Sequence, residues 1–449
     1  MMITTILLSF ILILLMYNYY VHHGKNGQLI NLIPGPPGRL IVGNALDYLG
    51  PRGAKWHPRR KILTPTFHFN ILQQFVEILI EEGKSMTKSL KNTGGSVVKD
   101  LVPFFNEHTL NAICETAMGT SLRSLDAFQQ RYLEAVHQMG ELVIYRLFRQ
   151  WLHVNWMFSL TPKGREQKKV LKVLHGFTER IIAERKLYHD RTNGQYLKNF
   201  GNDTSAERDD AESIGIRRKR LAMLDLLIAA SREGLMTDLD VREEVDVFLF
   251  GGHDTTAMGL CFIFALLAEH KDIQDRVRNE VNTALQKNEE KFTMKLLQDL
   301  PYLERCIKEA LRLYPSVFFI SRIPGEDVKL QSYLVPAGTL LHLNIHAVHR
   351  DPNFWSNPEV FDPDRFLPEK IRNRHPYSYL PFSGGPRNCI GQRFAMLEMK
   401  VMVASLIHSF YVEPIDYLKN LRMQPDMVLR PAHPLRVKFI PIYKTNASL

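Results

Sequence analysis

Phe382-Ser383-Gly384-Gly385-Pro386-Arg387-Asn388-Cys389-Ile390-Gly391 runs straight into Phe394, Leu397, Val401 and Ala404, which recur at helical spacing. A glycine-rich loop therefore delivers a cysteine to the start of a helix. Free backbone N–H groups and the helix dipole stabilise an anion at such a place, so a thiolate is expected at Cys389. Gly385 and Gly391 let the backbone turn and approach closely, and Arg387 adds a cation. A sulfur held out by such a loop suits a soft metal centre. The other cysteines, Cys114, Cys261 and Cys306, read as small buried hydrophobes.

Three more constellations stand upstream. Glu309-Ala310-Leu311-Arg312 puts a carboxylate and a guanidinium on one helix face at i,i+3, and Phe361-Asp362-Pro363-Asp364-Arg365-Phe366 follows it. Gly251-Gly252-His253-Asp254-Thr255-Thr256 lies inside a helical pattern from about Asp238 to His270. Each glycine there costs about 0.5–1 kcal/mol relative to alanine, which a helix crossing or a ligand would justify. Trp56-His57-Pro58-Arg59-Arg60 joins an aromatic ring to two cations.

These runs resemble the haem-thiolate monooxygenases of the cytochrome P-450 superfamily. Phe382, Gly385, Arg387, Cys389 and Gly391 all match the family's ligand loop, and the other motifs occur in the family's order. The resemblance implies a cytochrome P-450 fold around haem b, with Cys389 as axial ligand of the iron, Phe382 and Arg387 beside it, and O2 as co-substrate. It implies that Trp56, Arg60 and Arg322 face the haem propionates, where bidentate pairing favours arginine over lysine. Glu309, Arg312 and Arg365 would form a buried structural triad. Gly251 and Gly252 would leave room for dioxygen, and Thr255 and Asp254 would handle its protons.

Finer likeness, in WHPRRKILTPTFHF (Trp56–Phe69) and EVDVFLFGGHDTT (Glu244–Thr256), is to family 4, the clan of the fatty-acid ω-hydroxylases, in an arthropod-like style. The expected reaction inserts one oxygen atom of O2 into a C–H bond of a lipophilic substrate, a fatty acid or related lipid or else a xenobiotic. Electrons would come from NADPH through NADPH–cytochrome P-450 reductase, with cytochrome b5 as a second donor. Many family-4 enzymes carry a glutamate that esterifies the haem where this chain has Gly251, so the haem is expected to be non-covalent. Met427 to Arg430 is expected to line the substrate pocket.

The rest of the chain frames this reading. It has 449 residues, 45% hydrophobic and 23% charged, which excludes collagen-like and low-complexity classes. Four scattered cysteines exclude a disulfide scaffold and a clustered zinc site. Ile3 to Tyr20 carries no charge, and about 18 residues span roughly 27 Å, near the thickness of a bilayer core. Residues 1–20 therefore read as a transmembrane anchor; a signal peptide would show a basic start and a small-residue cleavage site. His22, His23, Lys25 and Arg39 follow it, which puts the catalytic domain on the cytosolic face of the endoplasmic reticulum membrane. Residues 21–38 form a hinge stiffened by Pro34-Gly35-Pro36-Pro37-Gly38, and 39–449 form the catalytic domain.

The fold class is mainly α with a minor β-sheet. Between Val317 and Ile345 the runs are short and β-like, and Tyr333–Val335 and Leu340–Ile345 are expected to form a hairpin across Pro336–Thr339. Lys and Arg outnumber Asp and Glu by 57 − 47 = 10. Arg217-Arg218-Lys219-Arg220 reads as a solvated helix start, and no nucleic-acid partner is expected. One stretch is too short. The family places strands and two helices between hinge and Trp56, more than roughly 50 residues, and only Asn44 to Lys55, 12 residues, stands there. The sequence thus reads as internally truncated around 44–55, and a catalytically impaired or inactive haem-binding variant is the alternative function.

Overall fold

A computed structural model of the chain describes residues 56–122, 126–192 and 222–442 and the single positions Leu12 and Met16. Apart from those two positions, the expected anchor, the proline-rich hinge, the short 44–55 connection and the Arg217–Arg220 run lie outside the described residues. The described residues fall into two units. One contains 143–164 and 319–344; the other contains 56–142, 165–318 and 345–442.

The larger unit is helical and is organised by one helix, Asp238–Glu269. Its start is fixed by a capping box: the Thr237 hydroxyl accepts from the Asp240 N–H, and the Asp240 carboxylate accepts from the Thr237 N–H. Asp238 and Asp240 in the first turn also complement the helix dipole. From His253 to Ala268 every residue except Thr255 is buried. By length and composition this helix could cross a membrane, yet 67% of its most apolar window is buried inside the protein. A helix apolar on all sides belongs in a core, and here that core is made of protein.

Helices Leu101–Ile113, Pro301–Leu313 and Gln392–Ser409 surround it. Phe105 stacks on Phe264 with centroids 5.1 Å apart, and Phe262 stacks on Tyr314 at 4.7 Å. Each fully buried ring contributes about 1.5–3 kcal/mol. Small residues set the closest approaches. A Cβ on Gly259 would stand 3.3 Å from Met399 Sδ, and one on Gly83 in helix Phe69–Lys91 would collide with the Ser405 hydroxyl.

A three-stranded antiparallel sheet closes this unit. Arg436–Pro441 lies between Val97–Asp100 and Phe410–Pro414, with Phe439 opposite both Val97 and Val412. Met423–Pro425 and Leu429–Pro431 form a separate C-terminal hairpin. A mainly helical fold with small sheets is what the sequence pattern predicts.

In the smaller unit the strand pairing differs from expectation. Tyr333–Val335 pairs back with Val328–Leu330, whereas Leu341–Asn344 pairs with Phe319–Arg322. Gln331, at φ +52°, makes the tight return between Leu330 and Tyr333. Pro336 has no N–H with which to extend a ladder, and the N–H of Gly338 (φ +79°) donates to Pro324 O at 2.9 Å, which carries the chain away from its expected partner.

Candidate functional site

The site starts at the loop that precedes helix Gln392–Ser409. Ser383 and Gly385 have positive φ (+62° and +77°), and the Cys389 N–H reaches back to Phe382 O at 2.9 Å. This closes the loop around Gly384–Asn388 and leaves Cys389 exposed at its end, although the helix behind it is largely buried. Helix Trp56–Leu63 supplies the neighbours. Arg60 Nη1 donates to Asn388 O at 2.9 Å and Nη2 to Asn388 Oδ1 at 3.1 Å, while the Arg387 guanidinium lies 4.3 Å from the Trp56 ring centroid. Trp56, Arg60, Phe382, Arg387 and Cys389 are thus brought together from two distant parts of the sequence.

The Cys389 thiol differs from expectation in its acidity. Burial among neighbouring protein atoms pushes it up, and the Gly391 N–H and the Arg60 charge pull it down without prevailing. Cys389 keeps exposed surface yet is packed by enough protein to be desolvated, so the helix terminus alone does not favour the thiolate. A coordinated metal deprotonates such a thiol outright.

Phe67 links the loop to the central helix. It stacks on Phe248 at 5.9 Å and lies 3.7 Å from where a Cβ on Gly391 would stand. The two glycines of that helix do different work. A Cβ on Gly252 would strike Ile113 at 2.6 Å, so Gly252 is demanded by a helix crossing and not by room for a ligand. Gly251 is exposed and no atom lies within 4 Å of its would-be Cβ. One turn on, Thr255 is half-buried and its Oγ1 donates to Gly251 O at 2.8 Å. Asp254 is 1% exposed and faces the interior, where its Oδ1 accepts from Arg430 Nη2. Val428, Leu429 and Arg430 are likewise buried, Met427 keeps partial exposure, and Arg430 packs against Asp254.

The other predicted cluster is assembled. Arg312 donates to Glu309 through Nε (2.7 Å) and Nη2 (2.8 Å), and Arg365 Nε lies 3.2 Å from Glu309 Oε1. That last contact is an ion pair without a directed hydrogen bond. The remaining Arg312 protons go to the carbonyls of His349, Pro358 and Val360, and Arg365 donates through Nη1 and Nη2 to the carbonyls of Ser356 and Asn357. Arg322 belongs to the smaller unit, at the end of strand Phe319–Arg322, where its Nη1 donates to Ser321 O.

For two arginines the partners emerge only in the folded structure. Arg59 joins Asp240, Glu243 and Glu244 of the central helix, and Arg430 joins Asp254 and Asp426. An arginine within the apolar run Met427–Pro431, four residues after an aspartate, was the available signal for the second.

Among the described residues no group of three or more His, Cys, Asp and Glu could hold a bare metal ion. A single exposed sulfur, cationic and aromatic neighbours, and an open glycine step on a buried helix fit a metal carried by a cofactor, with one protein ligand. The cytochrome P450 family profile matches residues 43–439. Similar proteins include cytochrome P450 4c3 of Drosophila melanogaster, 41% identical over 389 residues, which are 86% of this chain and 72% of that protein. Cytochrome P450 4c21 of Blattella germanica is 39% identical over 86% of this chain and 75% of its own length. Human cytochrome P450 4V2 is 36% identical over 88% and 73% respectively. These relatives are longer than this chain.

Proposed function

The chain belongs to the cytochrome P450 family, and from that premise we propose that it is a membrane-held hydroxylase of fatty acids or related lipids. Membership makes it an oxidoreductase monooxygenase that uses haem b and O2. When bound, the haem supplies an iron centre that activates dioxygen and places one of its oxygen atoms into a C–H bond. The observation that carries the site assignment is Cys389, exposed at the end of a hydrogen-bonded loop with Trp56, Arg60 and Arg387 around it.

In this reading Cys389 Sγ would be the protein ligand of the haem iron. Trp56 and Arg60 would hold the propionates, and Phe382 and Arg387 would stand beside the sulfur. Gly251, with open space at its would-be Cβ, would leave the helix backbone clear for dioxygen. The Thr255 hydroxyl, which donates to Gly251 O, would turn from that carbonyl to offer its proton to dioxygen. Asp254 resupplies that proton. Glu309, Arg312 and Arg365 hold the segment behind the loop and touch no reactant.

The substrate class rests on the likeness to family 4; a xenobiotic is the second choice. Electrons come from NADPH through the reductase, with cytochrome b5 as the other donor. A groove of about 420 Å³ beside the ligand loop is lined by Phe382, Gln392 and Arg393 and by Lys308 and Lys400, both of which pair with Glu304; the surplus of positive charge suits an acidic donor. The uncharged Ile3–Tyr20 run and the basic residues after it support an endoplasmic reticulum anchor with the catalytic domain on the cytosolic side.

The reduced, carbon-monoxide-treated protein should show a thiolate-type Soret band that Cys389→Ala abolishes. No band in the parent protein overturns the reading. Acid–organic extraction should free the haem, because Gly251 offers no carboxylate for an ester. A haem-binding chain without turnover is the second reading, favoured by the 12 residues from Asn44 to Lys55 and by the longer relatives. Substrate-dependent NADPH consumption with added reductase separates the two.

A further inference from the structure

Thr255 and Asp254 are neighbours in sequence but face different surroundings. Asp254 is buried, and its Oδ2 has no hydrogen-bond partner among the described residues. Its Oδ1 takes Arg430 Nη2, and the Nε of the same guanidinium donates to Asp426 Oδ2 at 3.0 Å. Asp426 is 2% exposed, and its Oδ1 accepts from the Met427 N–H at 2.7 Å. The fit there is tight. A Cβ on Gly140, in helix Asp126–Leu147, would collide with the Asp426 carboxylate. On that helix His137 is half-exposed, its Nδ1 4.0 Å from Asp426 Oδ2 and its Nε2 3.6 Å from Glu141.

The charges do not balance. Two buried carboxylates share one guanidinium, so the ionised cluster carries −1 + −1 + 1 = −1. Among the described residues the other groups packed against it bring no permanent cation. Burial pushes His253, whose Nδ1 is hydrogen-bonded to Leu249 O, down, and burial likewise pushes the Tyr132 hydroxyl and the Cys261 thiol up. His137 and Glu141 stand at the solvent end. A buried unpaired charge is costly, and a proton is the cheapest counterion. Desolvation raises Asp426 even with Arg430 beside it.

We propose that Asp254 and Asp426 compete for Arg430 and hold one proton between them, so that the C-terminal hairpin decides when Asp254 carries a proton. The carboxylate that keeps the guanidinium stays ionised and the other stays protonated. Asp426 exchanges its proton with solvent past His137, and Asp254 serves Thr255. Asp426 and Arg430 are then positioning residues that act through Asp254. The inference rests on the reading of Asp254 and Thr255 as the proton-handling pair.

Infrared spectroscopy of the full-length haem-loaded protein tests it directly, with a normal carbon-monoxide spectrum as the control for folding. Asp426→Asn leaves one aspartate for one arginine, and so does Asp254→Asn. Each should remove one protonated-carboxyl band, and the double variant should remove no more than one, because the proton is shared. Additive loss, or either variant leaving the band in place, overturns the sharing. Asp426→Asn should also lower product formed per NADPH, raise peroxide formed per NADPH and enlarge the solvent deuterium isotope effect. Unchanged values overturn the link to turnover. If Asp254→Asn keeps full coupling while the infrared pattern holds, the parent reading fails and the shared proton stands.

Discussion

The Cys389 loop and the Glu309 triad are each built from residues far apart in sequence, and they meet opposite requirements. In the triad every partner is already present: Glu309 and Arg312 are 0% exposed, and almost every donor ends on a carboxylate or a carbonyl. In the loop Cys389 and Arg387 keep exposed surface, as does Gly251 on the central helix. A region that holds shape consumes its own polar groups, whereas a region that binds keeps some of them uncommitted. Arginine serves both, as a saturated ion pair at Arg312 and as an exposed stacked cation at Arg387.

Substitution should separate the two roles, most sharply at Cys389. Cys389→Ala should abolish the thiolate-type spectrum and turnover while moving the melting temperature of the haem-free protein by no more than a few degrees, since an exposed side chain contributes little to stability. A large drop in that temperature would mean that the loop is as structural as the triad. Arg312→Ala should do the reverse. It strands the buried Glu309 carboxylate and should destabilise by roughly 3–5 kcal/mol in denaturant unfolding, with haem lost only as a consequence. Arg312→Lys should recover little, because one ammonium cannot replace a bidentate fork that also reaches three carbonyls.

The adjacent glycines repeat the comparison within one helix. Gly252→Ala forces a methyl into Ile113 and should cost about 1–3 kcal/mol. Gly251→Ala meets nothing within 4 Å and should stabilise the apoprotein by roughly 0.5–1 kcal/mol, while perturbing ligand spectra on the oxygen side. Equal effects at both positions would remove the distinction drawn between packing and room for a ligand.

Much of this was legible in sequence because the motifs are local. Five positions within ten residues, Phe382 to Gly391, carry the loop, and Glu309 with Arg312 is an i,i+3 pair. What was not legible depends on long-range contact. Nothing local says that Arg430 meets Asp254, 176 residues away, or that Gly252 rather than Gly251 touches Ile113. The strand pairing of 328–344 was misread for a related reason. Short β-like runs do not name their partners, and the positive φ of Gln331, a residue with no marked preference for it, made the decisive turn.

The N-terminus of the central helix stands between these extremes and should give the smallest effect. Asp240 is fully engaged like the triad yet sits at the surface like the loop. Hydrogen bonds from Thr237, side chain first and backbone second, overcome partial burial and, with Arg59, hold its carboxyl at about 2. The unfolded value is near 3.9. A carboxyl depressed on folding stabilises the native state above its unfolded pKa, and that contribution disappears as pH falls from about 4 through about 2. Asp240→Asn should therefore flatten the stability profile across that window, and Thr237→Val should both reduce the slope and cost about 1 kcal/mol at neutral pH. The measurement is denaturant unfolding at a series of pH values. A wild-type slope that survives in both variants would assign acid lability to another carboxylate, with Glu304, held at about 2 by Lys308 and Lys400 against the cost of burial, as the next to test.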